Sequence, residues 1–228
     1  MDFTDNIFKL VNIGIKFNGS FILENNDEYA VIEDQKAHII YLLVNKDNVD
    51  VIGLLNKYKD LEGTVAIMSK YDYHLANHPD FGKHLVVNQF RYIGEPFILD
   101  EGYQIEEVTM DDYPYLYEKY HSIVREEGYI VNAISRGMLK CVMDNKIVGF
   151  IGEHPEHSVG LLFVDESFRR KGIAKALEKA MINKMLKDGK EVIDHVEKEN
   201  GASLSLQASL PNMIIDDGFI DWYFDKKL

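Results

Sequence analysis

The chain reads as a mixed α/β (α+β) protein in two parts, and three observations carry that reading. The six-residue run Val159-Gly160-Leu161-Leu162-Phe163-Val164 holds no charge, which predicts a strand buried on both faces. After the break Asp165-Glu166-Ser167, apolar residues recur at Ile173, Leu177, Met181 and Met185, with Ala174, Ala180 and Ile182 beside them, the spacing of one helical face. Strand-like and helix-like stretches also alternate on both sides of Gly94-Glu95-Pro96, the clearest boundary signal in the 228 residues. The expected domains are 1–99 and 100–228.

In the second part, Tyr103 to Val108 reads as a strand, and Thr109 caps a helix expected over Met110 to Glu127, with Asp111 and Asp112 in its first turn and Leu116, Tyr120, Ile123 and Val124 on one face. Gly128 ends it. A short helix over Asn132 to Gly137 precedes a hairpin, with strands Leu139 to Met143 and Ile147 to Glu153 about the turn Asp144-Asn145-Lys146. The strand Val159 to Val164 and its helix follow. Then come a strand Glu191 to Val196, a helix Ala202 to Leu210 and a last strand from Trp222 to Asp225. In the first part, strands are expected over Glu28 to Ile32, His38 to Val44, Thr64 to Met68 and His84 to Tyr92. A helix is expected over Val49 to Tyr58 and a shorter one over Tyr71 to Asn77.

Composition narrows the partners. A net charge of −13 argues against nucleic acid and anionic membranes, which reward basic surfaces, and suits a cationic or amine partner. The single cysteine, Cys141, lies in a mostly apolar run and reads as a buried structural thiol. The start Met1-Asp2-Phe3-Thr4-Asp5 is acidic and no long apolar run follows, so no signal peptide is expected and the protein reads as soluble and cytoplasmic.

The chemistry concentrates at Arg169-Arg170-Lys171-Gly172-Ile173-Ala174, a basic, glycine-containing turn opening the amphipathic helix. The first N–H groups of a helix lack intrahelical partners and carry the positive end of its dipole, and a glycine lets an anion come close. No G-x-x-x-x-G-K-[ST] or G-x-G-x-x-G segment offers an alternative phosphate cradle. The spacing Arg169-x-x-Gly172-x-Ala174 resembles the coenzyme A pyrophosphate signature of the GNAT N-acyltransferase superfamily. Asn200-Gly201-Ala202-Ser203-Leu204-Ser205-Leu206 resembles that family's Asn-x-x-Ser-x-x-Leu segment, and Gly218-Phe219 its closing Gly-Phe.

The resemblance, spanning Glu101 to Leu228, implies a mixed, mostly antiparallel sheet with helices on both faces. It implies an N-acetyltransferase that uses acetyl-CoA as cosubstrate, without a metal, and transfers the acyl group directly to a primary amine in a ternary complex. The acceptor would be a small molecule or peptide, and a homodimer is compatible with it. The fourth strand's edge, Leu162, Phe163 and Val164, would pair with the pantetheine amides, with Asn200 and Ser203 beside it. A backbone N–H of Phe163 or Val164 would bind the oxyanion, a contribution of ~3 kcal/mol for one good donor.

Two departures stand out. Gln207 occupies the position where many members carry a tyrosine general acid, which leaves a non-catalytic coenzyme A binding module as the alternative function. Tyr223 from the last strand, or water, is the substitute proton donor, since a thiolate leaves easily. The general base is expected at Glu153 or His157, in the polar segment 152–158, and Tyr115, Tyr120, His121 and Arg125 are candidates to line the acceptor cleft. The first part resembles a degenerate copy of the same fold, as in glycine N-acyltransferase-like proteins. After Tyr41-Leu42-Leu43-Val44 it has Asn45-Lys46-Asp47-Asn48 in place of the basic glycine turn, so it is expected to bind no coenzyme and to wall the acceptor site instead.

Overall fold

The computed structural model describes residues 1–71, 83–120 and 128–224. Two compact units emerge, one of Met1–Phe90, His195–Gly201 and Ile215–Leu228, the other of Arg91–Asp194 and Ala202–Ile214. They follow a different line from a cut after residue 99, because backbone pairing rather than chain order decides them.

The first unit contains α1 (Lys9–Ile13), β1 (Phe21–Asn25), β2 (Tyr29–Asp34), β3 (Ile39–Val44), α2 (Val51–Lys57), β4 (Thr64–Ser69) and most of β5 (Lys83–Tyr92). The second is built on β6 (Gln104–Glu107), α3 (Tyr113–Tyr120), α4 (Tyr129–Ser135), β7 (Leu139–Met143), β8 (Lys146–Glu153), β9 (Val159–Val164), α5 (Ile173–Lys187), the start of β10 (Val192–Glu197), α6 (Gly201–Ser209) and most of β11 (Met213–Ile215). The last strand, β12 (Phe219–Phe224), returns to the first unit. It pairs antiparallel with β4 (Trp222 opposite Ala66) and with β5 (Trp222 opposite Leu85). Strand order in the first unit is β1-β2-β3-β4-β12-β5.

In the second unit the order is β10-β9-β8-β7-β6. The hairpin β7–β8 closes on Met143 opposite Lys146, so its loop is the two residues Asp144 and Asn145, both at positive φ (50° and 57°), the geometry that matches strand twist. The strand residues serve two faces, and the register shift between Cys141 and Val142 sets Val148 on the same face as Ile151. Ile151, Val148 and Cys141 pack with Ile173, Leu177, Met181 and Met185 of α5, whereas Phe150 and Leu161 pack with Leu116 and Tyr120 of α3 and Ile130 and Ala133 of α4. The predicted stripe of α5 is thus its buried face. Helix α5 ends with Gly189 at φ 70°, whose N–H and that of Lys190 bond back to Leu186 and Met185 (both 3.0 Å).

Several boundaries moved. Met110–Asp112 is a 3₁₀ turn ahead of α3, closed by the capping box in which Thr109 N–H donates to Asp112 Oδ2 (2.8 Å), and α4 begins earlier than expected, with Gly128 at its N-terminus. The expected helix residues 121–127, with His121 and Arg125, and those beyond Tyr71 in the short first-part helix, lie outside the described residues. Cys141 is fully buried, and burial pushes its thiol up.

Candidate functional site

Strands β9 and β10 run parallel and share a single register pair, Asp194 opposite Val159. On its other edge β9 stays paired with β8 to its end, with Phe150 opposite Phe163 and Gly149 opposite Val164. Leu162, Phe163 and Val164 therefore lie past the point where β10 departs. A register shift between Phe150 and Gly152 and the positive φ of Leu161 (50°) mark a bulge at the same place, and bulges bend and twist the strand that carries them. Leu162 to Val164 are half-buried, the state of a strand edge that lines a groove.

The chain leaves β9 through a short 3₁₀ turn and delivers the basic segment to α5. Arg169 folds back rather than reaching out: its Nε donates to the Val164 carbonyl (3.1 Å) and its Nη1 meets Glu166 (3.3 Å). Arg170 adopts the left-handed region (φ 64°), and Lys171 sets its ammonium over the Phe168 ring (4.7 Å). Gly172 is the N-cap of α5 at φ 80°, and a Cβ there would come within 2.3 Å of the Tyr103 hydroxyl. Both facts demand glycine. Tyr103 Oη donates to the Lys171 carbonyl (2.8 Å) and so fixes the turn from a position 68 residues upstream. The helix ladder begins with Ala176 N–H on Gly172 O (3.0 Å), leaving the N–H groups of Ile173, Ala174 and Lys175 ahead of it. The Ile173 side chain is buried (1% exposed), so its offer to an anion is its N–H alone. Asn200 sits just before α6, its N–H on Glu197 O (2.9 Å), and Ser203 lies in the first turn of α6.

The first unit repeats strand, turn and helix in another form. There β3 and β4 are zipped in parallel over six pairs, from Ile39 opposite Thr64 to Val44 opposite Ser69. Helix α2 is capped by its own carboxylate, Asp50 Oδ1 accepting the Gly53 N–H (2.9 Å). Where the second unit leaves parted strands and an open helix start, the first has closed strands and a resident anion.

The expected base candidates are brought together, but in the core. Glu153 is 1% exposed and its Oε1 contacts both His157 Nδ1 and Lys190 Nζ, the latter at 2.5 Å, while Arg136 Nε donates to the Glu153 carbonyl (3.0 Å). Burial pushes this carboxyl up, yet the hydrogen bonds from His157 and Lys190 together outweigh it and hold Glu153 below the usual range. Glu153 is also opposite Val159, at the far end of β9 from Phe163; four residues at ~3.3 Å each put it ~13 Å along the strand. Both residues are thus buried in an ion cluster with Lys190, at the end of β9 away from Phe163. Tyr223 belongs to the first unit. It is buried in the apolar core of the first unit, stacked on His84 (4.6 Å), and burial, with the charge of Asp221, pushes its hydroxyl up to about 12.

Gln207, where a tyrosine was expected, faces inward (1% exposed). Its Nε2 donates to Glu178 Oε1 (3.2 Å) and to Asp194 Oδ2, bridging carboxylates from α5 and β10. Burial pushes Glu178 up to about 7 against the opposing Gln207 hydrogen bond. The buried Gln207 Oε1 has no donor among the described residues, and a protonated Glu178 carries one. Tyr115 and Tyr120 turn their edges to Phe150, which stacks on Phe163 (5.2 Å). Tyr120 is core, pushed up to about 12 by burial, whereas Tyr115 is half-buried with a hydroxyl that has no protein partner among the described residues. No described helix is long and apolar enough to cross a membrane.

Residues 105–203 match the family model described as an acetyltransferase (GNAT) domain. No curated protein matches the chain. Among solved structures, the chain is similar to one described as an acetyltransferase of the GNAT family from Novosphingobium aromaticivorans (13% identity, TM-score 0.62, 97% of this chain and 100% of that chain). It is similar also to an N-acetyltransferase-like protein from Streptococcus suis (12%, TM-score 0.57, 98% and 94%) and to a GNAT-family acetyltransferase from Colwellia psychrerythraea (12%, TM-score 0.54, 93% and 89%). At such identities the likeness concerns the fold, which is mixed α/β with a mostly antiparallel open sheet. The match to an acetyltransferase (GNAT) domain thus concerns residues 105–203, from β6 into the first turn of α6.

Proposed function

We propose that the second unit binds acetyl-CoA and transfers its acetyl group to a primary amine, directly and within a ternary complex. The observation that carries this is the parting of β9 from β10 after one register pair, directly ahead of a helix start that only glycine can form. Bound there, the thioester supplies an activated acyl carbon and a thiolate leaving group.

The chain's own residues supply the rest. The free edge of Leu162 to Val164 offers N–H and C=O groups to an extended amide chain, as a further strand would. The N–H groups of Ile173 and Ala174, with Arg170 and Lys171 beside them, offer donors and positive charge to a diphosphate. The N–H of Phe163 or Val164 is placed to donate to charge growing on a carbonyl oxygen. With Glu153 and His157 buried in an ion cluster and Tyr223 in the core of the first unit, water is the proton carrier best compatible with the site, and a thiolate is a good enough leaving group to depart without a dedicated acid.

The first unit is read as a copy without coenzyme. Its zipped β3–β4 pair has no groove, and Asp50 already fills the helix start with an anion. Location in the cytoplasm and an amine acceptor, small molecule or peptide, remain parts of this proposal. Thiol release from acetyl-CoA, screened against a panel of amines, tests it. Amine-dependent release is the expected result, and release that no amine accelerates would contradict it.

A further inference from the structure

The segment that joins β8 to β9 closes on itself, His154 N–H donating to Ser158 O and His157 N–H to His154 O (both 2.9 Å), with His157 at φ 72°. Its other ionisable side chains are committed: His157 contacts Glu153, which pairs with Lys190, and Glu156 accepts from the Ser158 hydroxyl (2.5 Å). His154 turns elsewhere. It is half-buried, and its Nδ1 shares a hydrogen bond with the Tyr129 hydroxyl of α4, the two ring centroids 6.3 Å apart. Its Nε2 has no hydrogen-bond partner among the described residues. The ring lies over Gly160, where a Cβ would come within 2.1 Å of Nε2 and 2.4 Å of Cδ2, so only glycine leaves room for it.

Gly160 stands immediately before the bulged Leu161. Val159, Leu162 and Val164 pack toward α5, whereas Leu161 and Phe163 pack toward α3 and α4 together with Tyr129. His154 Nε2 is therefore on the α3–α4 face of β9. Glu153, opposite Val159, stands on the other face. From Gly160 to Phe163 is three residues, ~10 Å along the strand. A carbonyl oxygen held by the Phe163 N–H, its carbon, an attacking nitrogen at ~3–3.5 Å and one bridging water at ~2.8 Å fill that span. The other titratable groups on this face are Tyr129 of α4 and Tyr115, Tyr120 and Lys119 of α3, the ammonium of Lys119 lying over the Tyr115 ring (5.6 Å).

We propose that His154 Nε2 is the group that takes the proton of the acceptor amine through one water, and that Tyr129 is a positioning residue that fixes the imidazole tautomer. With Nδ1–H donating to Tyr129 Oη, Nε2 keeps its lone pair. The amine enters as an ammonium. One of its protons passes through the water to Nε2, and the electron pair so freed on nitrogen attacks the acyl carbon. The C–S bond then breaks with its electron pair left on sulfur, the nitrogen gives a second proton to water, and the imidazolium returns its own to solvent. The inference rests on the acetyl-CoA reading above and names the group behind the water.

Two measurements on the full chain test it: ¹⁵N NMR of the histidine rings, and thiol release from acetyl-CoA across a panel of amines as a function of pH. The neutral His154 ring should carry its proton on Nδ1, and Tyr129→Phe should move it toward Nε2. His154→Ala should lower kcat/KM by about a hundredfold and remove the inflection that imidazole protonation puts in its pH profile. Tyr129→Phe should lower kcat/KM by about five- to tenfold, the scale of one hydrogen bond, with the KM for acetyl-CoA unchanged within about twofold in both variants. If His154→Ala does not fold by circular dichroism, His154→Gln serves in its place. A folded variant at position 154 with wild-type kcat/KM overturns the assignment, as does a wild-type His154 that carries its proton on Nε2, and the acetyl-CoA reading then stands. A wild type whose thiol release no amine accelerates overturns both.

Discussion

Replacing Glu178 with glutamine should raise stability at neutral and alkaline pH and flatten its pH dependence. Glu178 lies buried on α5 against Gln207, and its carboxyl is pushed from 4.5 up to about 7. A carboxyl raised in the folded state holds its proton more tightly there than when unfolded. Stability is therefore greatest below pH ~4.5, falls as pH climbs toward 7, and is fully reduced above it. The span from 4.5 to about 7, at ~1.4 kcal/mol per pH unit, is on the order of 3 kcal/mol. Glutamine keeps the shape and offers an amide donor to Gln207 Oε1, which has no donor among the described residues, without ionising. At pH 8 the Glu178→Gln variant should unfold ~6–12 °C above the wild type, at 2–4 °C per kcal/mol for a chain of this size. At pH 4.5 the two should agree. Thermal unfolding of both proteins from pH 4.5 to 8.5 isolates this carboxyl in the difference between the curves, and parallel curves would refute it.

Three further outcomes are expected. Gly172→Glu should abolish coenzyme A binding while the chain still folds, since it sets a carboxylate at φ 80° against Tyr103 where phosphates would lie; calorimetry beside circular dichroism checks both halves. Tyr103→Phe removes the 2.8 Å bond that fixes Lys171 and should weaken coenzyme A by about five- to tenfold with little change in Tm, a loss of ~1 kcal/mol. Glu153→Gln removes the buried carboxylate that pairs with His157 and Lys190 and should cost ~3–5 kcal/mol in chemical denaturation, while the pH profile of kcat/KM keeps its shape if Glu153 handles no substrate proton.

What the sequence disclosed and what it concealed divide along physical lines. The buried face of α5, the hairpin turn at Asp144-Asn145 (though not that Lys146 already pairs with Met143) and the Gly172 turn were legible because each depends on residues adjacent in the chain or one helical turn apart. Tyr103 was not, since its role is a contact across 68 residues, and no local pattern distinguishes it among 13 tyrosines. Glu153 and His157 looked available because the polar run 152–158 reads as a surface turn; the partner that seals them, Lys190, lies 33 residues or more away. Tyr223 was placed beside the site by chain order, but β12 pairs with β4 and β5 and carries it into the first unit. The loss of the anion site at α2 was half visible: the missing basic glycine turn could be read, the Asp50 cap and the zipped strands could not.

The central claim is that the parted strands β9 and β10 and the Gly172 turn hold a coenzyme A thioester. Thermal unfolding with and without acetyl-CoA, repeated with desulfo-coenzyme A, addresses it most directly. At ~100 times Kd a ligand that binds only the folded protein adds about 2.7 kcal/mol of stability, so both compounds should raise Tm measurably, and Gly172→Glu should abolish the shift. An unchanged Tm at millimolar acetyl-CoA would contradict the claim and leave the turn a structural helix start.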